Sequence, residues 1–301
     1  ENERFRLGRE LAEANRKLIA ARQQVVEHED LRTEVLTLES SRKNLLQRNK
    51  ELRDEVNDRL EKDSDGEPVF PRCYDIDKEF STSTITNDLT DLKEQIIQIQ
   101  SRIAREGLYY SDRDIRSLFA GLAMSRMVIL QGISGTGKTS LPVHFAKAVG
   151  GECEVIEVQA GWRDRDDLLG HYNAFERKFY EKKFLQSLYK ASRPTFSNRL
   201  FFILLDEMNL SYVEQYFADF LSVLERSSEE HWIDLLPRAL PGRSSPTGFD
   251  NGRRIAIPPN VWFVGTANRD ETTKDIADKT YDRSHVLELP VIPPKLANLL
   301  Q

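Results

Sequence analysis

Apolar residues over the first sixty positions recur at alternating steps of four and three. The series runs Leu7, Leu11, Ala14, Leu18, Ala21 and Val25, then Leu31, Val35, Leu38, Leu45, Leu52 and Val56. This is a heptad seam, and the short step between His28 and Leu31 reads as a stammer in it. His28, Arg42 and Asn49 fall on the seam, where polar side chains weaken packing but fix register. No proline interrupts residues 1–62, and Gly8 is their only glycine. The pattern predicts a coiled coil over 1–62, a rod of roughly 90 Å at about 1.5 Å per residue. A single solvated helix held by charge pairs is the simpler alternative, with Glu, Arg and Lys dense at the intervening positions.

The texture then changes twice. Residues 63–87, DSDGEPVFPRCYDIDKEFSTSTITN, mix Pro, Gly, Ser and Asp and read as a linker. Leu89, Leu92, Ile96, Ile99 and Ile103 form one helical stripe ending at Gly107, so 63–109 is expected to be linker plus amphipathic helix. SDRD, from Ser111, is a capping-box pattern opening a helix to about Ala123. Beyond it, short apolar runs alternate with helical patterns: MVIL (127–130), CEVIEV (153–158), LFFILL (200–205) and VWFVG (261–265). Runs of that length separated by helices predict an α/β domain with a parallel sheet covered on both faces.

Composition narrows this only slightly. The 301 residues carry a net charge of −6 with both signs abundant, which argues against a general polyanion binder and leaves any nucleic-acid contact local and indirect. Two cysteines, Cys73 and Cys153, do not make a disulfide framework or a zinc knuckle. No apolar run reaches membrane-spanning length and no signal peptide is visible, so no membrane partner is expected and a cytoplasmic location is the default. The chain opens at Glu1 inside a helical pattern and reads as a piece of a longer protein.

The chemistry is concentrated after the first apolar run. QGISGTGKT (131–139) meets the pattern G-x-x-x-x-G-K-[ST] with Gly132, Gly137, Lys138 and Thr139. Glycines at 132, 135 and 137 let backbone N–H groups converge on phosphate oxygens, and the helix that follows offers its positive end. The cradle is expected to comprise Gly132, Ser134, Gly135, Thr136, Gly137, Lys138, Thr139 and Ser140, with Lys138 on the β- and γ-phosphates and Thr139 on Mg²⁺. LFFILLDEMN (200–209) delivers Asp206, expected to hold Mg²⁺ through water, and Glu207, placed to orient and polarise the attacking water, to a strand end. VWFVGTANRD (261–270) ends another buried strand in Asn268, which reaches the γ-phosphate if the strand lies beside both sites; otherwise that amide is a loop cap.

Taken in order, LQGISGTGKT, DDLLGHYN, DEMNLSYVEQYFADFLSVLE, IPPNVWFVGTANRDETT and DRSHVLEL resemble the AAA+ ATPases, and within them the dynein-related, McrB-type group. The resemblance covers about residues 110–290. It implies that 110–301 is the large nucleotide-binding subdomain of an AAA+ P-loop NTPase, with the helical lid absent. It assigns Lys138 and Thr139 to Walker A, Asp206 and Glu207 to Walker B, and Asn268 to sensor 1. Arg283, in YDRSH, matches the arginine that members insert into a neighbour's site, although Arg253, Arg254 and Arg269 lie close in sequence. RDETT follows Asn268 where the founder has a different signature, so the founder's guanine preference does not carry over and ATP or GTP remains the substrate.

GHYNAFERKFYEKK (170–183) fits an inserted hairpin, and 231–260 fits a β-hairpin with its tip near 237–252, where Arg238 and Arg243 are candidates for touching a substrate or partner. By the same analogy the chain forms a homo-oligomeric ring, a hexamer, and works with a nuclease or effector subunit in a prokaryotic restriction or defence system, the coiled coil adding self-association. Two other functions fit: a slow nucleotide switch on a coiled-coil scaffold, or a MoxR-like chaperone that remodels protein.

Overall fold

The computed structural model describes residues 35, 38–51, 68–82, 92–226, 231–238, 240, 245–268 and 273–290. The chain divides into two units, Glu1–Asp65 and Gly66–Gln301. In the first, residues 38–51 form a helix, α1, on which Leu38 and Leu45 are 62% and 69% exposed. Most of the expected coiled coil, including Leu7 to Leu31 and Leu52 to Val56, lies outside the described residues.

The second unit is built on a parallel sheet. Its strands are β1 (Met127–Gln131), β2 (Glu152–Glu157), β5 (Phe201–Asp206), β9 (Val261–Ala267) and β10 (His285–Glu288), in the order β10-β1-β9-β5-β2. The unbroken apolar runs follow from burial on both faces. Along β5, Phe201, Ile203 and Leu205 enter one core while Phe202 and Leu204 enter the other. In β1, Met127 and Ile129 join the first, and Val128 and Leu130 the second. Period-two alternation of side chains thus feeds two separate hydrophobic layers, with no polar face to interrupt the run.

One layer is completed by α3 (Leu92–Arg105), α4 (Asp112–Met124) and α5 (Ser140–Ala148). Ile96, Ile99 and Ile103 bury the stripe of α3 with Leu141 and Phe145 of α5, so this amphipathic helix packs on the domain that follows it. Gly107, at φ +79°, ends the turn after α3. The expected capping box opens α4: Ser111 Oγ accepts from Asp114 N at 3.2 Å and the Asp114 carboxylate from Ser111 N at 2.9 Å.

The other layer holds α6 (Arg165–Leu169), α7 (Lys183–Ala191), α8 (Val213–Tyr216) and α9 (Ala218–Val223). Between α6 and α7 the expected hairpin is present as β3 (Gly170–Asn173) and β4 (Lys178–Glu181). The expected hairpin at 231–260 is more elaborate. Strand β8 (Arg254–Ala256) pairs with both β6 (Trp232–Asp234) and β7 (Phe249–Asp250), giving a small three-stranded sheet. Arg238 is exposed there, and Arg243 lies outside the described residues.

The stretch expected as a linker also contains structure. Residues Pro71–Glu79 form α2, and Val69, Phe70 and Cys73 are buried in the first core. Phe70 stacks on Phe249 with ring centroids 4.4 Å apart, and the main-chain N–H groups of Arg72 and Cys73 donate to the Glu181 carboxylate. Asp77 pairs with Arg193 and accepts from Tyr189 Oη at 2.8 Å and Thr247 N at 3.0 Å. The apolar positions 70, 73, 76 and 80 are helically spaced, but the intervening Pro and Asp residues mask the period.

Candidate functional site

The phosphate-loop residues join the end of β1 to the start of α5. Gly132, Gly135 and Gly137 take φ values of +156°, +81° and +82°, conformations that L side chains rarely adopt. Ser134 and Gly135 are exposed, while Thr136 and Lys138 are buried. Lys138 Nζ spans the inside of the loop, donating to the carbonyls of Gly132 at 3.0 Å and Ile133 at 2.7 Å. Thr136 Oγ1 donates to the same Ile133 carbonyl at 3.0 Å. Ser140 is the first residue of α5.

Tyr110 supports the loop from behind. Its phenol donates to the Gly137 carbonyl at 2.9 Å, and a Cβ on Gly137 would sit 2.6 Å from the Tyr110 phenol oxygen. Burial, with the nearby Asp114 charge, pushes the phenol up to about 12, so it stays a donor at any ordinary pH. A cavity of about 250 Å³ opens beside it, walled by Ile103, Leu108, Tyr109 and Ile115. The larger cavity, about 480 Å³, is lined by Arg102, Glu106, His144 and Lys147 and includes none of the loop residues.

Sheet topology brings the remaining groups together. Strand β9 lies between β1 and β5, with Leu130 opposite Thr266 and Leu205 opposite Gly265, so the three strands end at one level. Asp206 Oδ1 accepts from Thr139 Oγ1 and from Thr266 Oγ1, each at 2.7 Å. Glu207 follows in the left-handed region at φ +52°, a costly conformation for a residue with a side chain. It is held by its own N–H, which donates to Thr266 Oγ1 at 2.8 Å, and by its carbonyl, which accepts from Leu210 N at 2.9 Å. Asn268 Nδ2 donates to Glu207 Oε1 at 3.4 Å, a long bond.

Thr266 is the member that reading the sequence missed. Its hydroxyl gives to one carboxylate and takes from the next residue's main chain, so it sets both acids. The available signal is one hydroxyl in the apolar run VWFVGTA, which the parallel register sets beside Asp206.

Arg283 stands apart from this cluster. Strand β10 runs parallel to β1 with His285 opposite Val128, so Arg283 lies at the amino end of the sheet and the loop at its carboxyl end. Five residues of β1 separate the two levels, about 16 Å at roughly 3.3 Å per residue. Its guanidinium pairs with Glu225, just beyond α9, and its carbonyl accepts from Ser125 Oγ. Of the neighbouring arginines, Arg253 pairs with Asp234, Arg254 pairs with Asp250, and Arg269 is outside the described residues.

Residues 127–284 match the AAA domain of the dynein-related subfamily. The chain belongs to that family. It contains an AAA+ ATPase domain of the α/β P-loop class, which implies nucleotide binding and, as a rule, Mg²⁺. No curated protein matches the chain. Among the described residues, no helix is long and apolar enough to cross a membrane, and no cluster of three His, Cys, Asp or Glu residues forms a metal site.

Proposed function

We propose that the chain is the nucleoside-triphosphate-hydrolysing motor subunit of a McrB-like, cytoplasmic restriction or defence assembly, acting as a ring with a nuclease partner. The observation that carries the reading is the cluster of Thr139, Asp206, Glu207, Thr266 and Asn268 at the mouth of the phosphate loop. In this reading the loop amides and Lys138 bind the β- and γ-phosphates of ATP or GTP. The Thr139 hydroxyl and Asp206 carboxylate, hard oxygen donors 2.7 Å apart, fit Mg²⁺. The ion, when bound, supplies charge neutralisation at the phosphate oxygens.

Glu207 orients a water and takes its proton as the water oxygen attacks the γ-phosphorus and the bond to the β-γ bridging oxygen breaks. The Asn268 amide, within reach of Glu207 Oε1, fixes the carboxylate and the water between them. Arg283, about one strand length from its own loop, acts in a neighbouring subunit's site. An arginine supplied in trans is worth about 10³–10⁵ in rate for related phosphoryl transfers, so turnover depends on assembly.

The test is Glu207→Gln, which keeps the shape and removes the base. The variant should bind triphosphate like wild type while phosphate release falls by about 10²–10⁴. Wild-type release rates in it would end the assignment. Turnover per subunit should also fall on dilution below the assembly concentration. A slow nucleotide switch is favoured by one feature, the pairing of Arg283 with Glu225 in its own chain. Negligible turnover in the assembled state would decide for the switch.

A further inference from the structure

Asn268 is the first residue beyond β9, so the sheet ladder that aligns Thr266 and Ala267 no longer holds it. A different residue takes over that task. The side chain of Asn209, 4% exposed, faces the main chain of Asn268 as a neighbouring strand would. Its Nδ2 donates to the Asn268 carbonyl at 2.8 Å and its Oδ1 accepts from the Asn268 N–H at 3.3 Å. The same Nδ2 reaches the Lys274 carbonyl at 3.3 Å, and the Asn209 carbonyl accepts from Lys274 N at 2.7 Å. One side chain and one carbonyl therefore tie both Asn268 and Lys274 to Asn209.

Asn209 is itself rigidly placed. It lies in the 3₁₀ turn Met208–Leu210, at φ −92° and ψ 15°, directly after the left-handed Glu207. Tyr216 Oη donates to the Met208 carbonyl at 2.9 Å, and Gly265 leaves room for Met208, where a Cβ would lie 1.9 Å from the sulfur. The turn that fixes Glu207 at one end thus carries the clasp for Asn268 at the other. An alanine in place of Asn209 would take this partner from both part-buried main-chain groups of Asn268, leaving the carbonyl Thr273 Oγ1 at 3.1 Å.

We propose that Asn209 is a positioning residue for hydrolysis, holding Asn268 at the distance from Glu207 that the chemistry requires. This rests on the function proposed for Glu207 and Asn268, and the test separates the two. Asn209→Asp keeps the shape but sets a carboxylate against two carbonyls, and Asn209→Ser removes the reach. Phosphate release at saturating nucleotide should fall about 10–100-fold in both, the scale of a misplacement near 1 Å, while KM and nucleotide affinity stay within about threefold. In an Asn268→Ala background the same changes should cost nothing further, because they act through that residue.

Turnover at the wild-type rate in both variants would overturn the proposal. So would a raised KM at unchanged kcat, losses that multiply with Asn268→Ala, or collapse of the fold in both, which would make Asn209 a stability residue alone. Glu207→Gln, assayed alongside, tells the failures apart. If it is inactive while the Asn209 variants are normal, only this inference falls. If it is fully active, the reading of the site falls first.

Discussion

Replacing Thr266 by valine changes one oxygen for one methyl at a position that is 1% exposed. The Glu207 N–H, which donates to that oxygen at 2.8 Å, loses its partner, at a cost of about 0.5–1.5 kcal/mol for a part-buried hydrogen bond. Asp206 loses a hydroxyl donor as well, but it keeps Thr139 at 2.7 Å, so this second loss falls at the low end of the usual range. Burying the extra methyl returns about 0.8 kcal/mol. The net expectation is a loss of about 1 kcal/mol or less, no more than roughly 2–4 °C in Tm for a unit of this size.

The effect on activity should be larger than the effect on stability. The left-handed backbone of Glu207 costs of order 1–3 kcal/mol, comparable to the bond that holds it. Without that bond the residue can relax and turn its carboxylate from the phosphate loop. Thr266→Ser is the control, since it keeps the hydroxyl and loses only a methyl. Thermal melts and phosphate release at saturating nucleotide read both variants. The valine variant should release phosphate at least about tenfold more slowly, and the serine variant near the wild-type rate. Equal impairment in the two, or full activity in the valine variant, would show that the hydroxyl does not set the acids.

Further outcomes follow from the supports around the site. Asp77→Ala leaves Arg193, with a side chain only 10% exposed, without its ion pair, and should lower stability by about 3 kcal/mol or more. An unchanged melting temperature would show that α2 is not held to the rest of the second unit as described. In the alkaline range, burial and then Glu154 and Glu152 push the Cys153 thiol from 9.0 up to about 12, and burial and Asp114 raise Tyr110 similarly. Because both groups are neutral when protonated, their contribution is intact below about pH 9 for Cys153 and pH 10 for Tyr110, and is lost as pH rises towards 12. Melting temperature should therefore decline from pH 9 upward, and Cys153→Ala should flatten the first part of that decline. An identical slope in the variant would refute the thiol's role.

The local elements of the second unit were legible because each carries its own chemistry. The Ser111 capping box, the stripe of α3 and the glycine loop each depend on residues within a few positions of one another. Helix α2 was hidden because its driving force is remote: Phe70 is ordered by Phe249 and Phe179, more than a hundred residues away. The inserted sheet at 231–260 was under-read for a related reason, since β7 is two residues long and exists only by pairing with β8.

Read alone, the residues determined the buried strands, the phosphate loop and the acidic pair, because hydrophobic period and turn chemistry are written at short range. Tertiary structure decided what those groups do together. Strand order set β9 between β1 and β5, which gave Thr266 its two acids and brought Asn268 within reach of Glu207. It also sent Arg283 to the opposite end of the sheet. Such distances depend on which strands pair, and pairing is settled by how the two cores fill around the whole sheet.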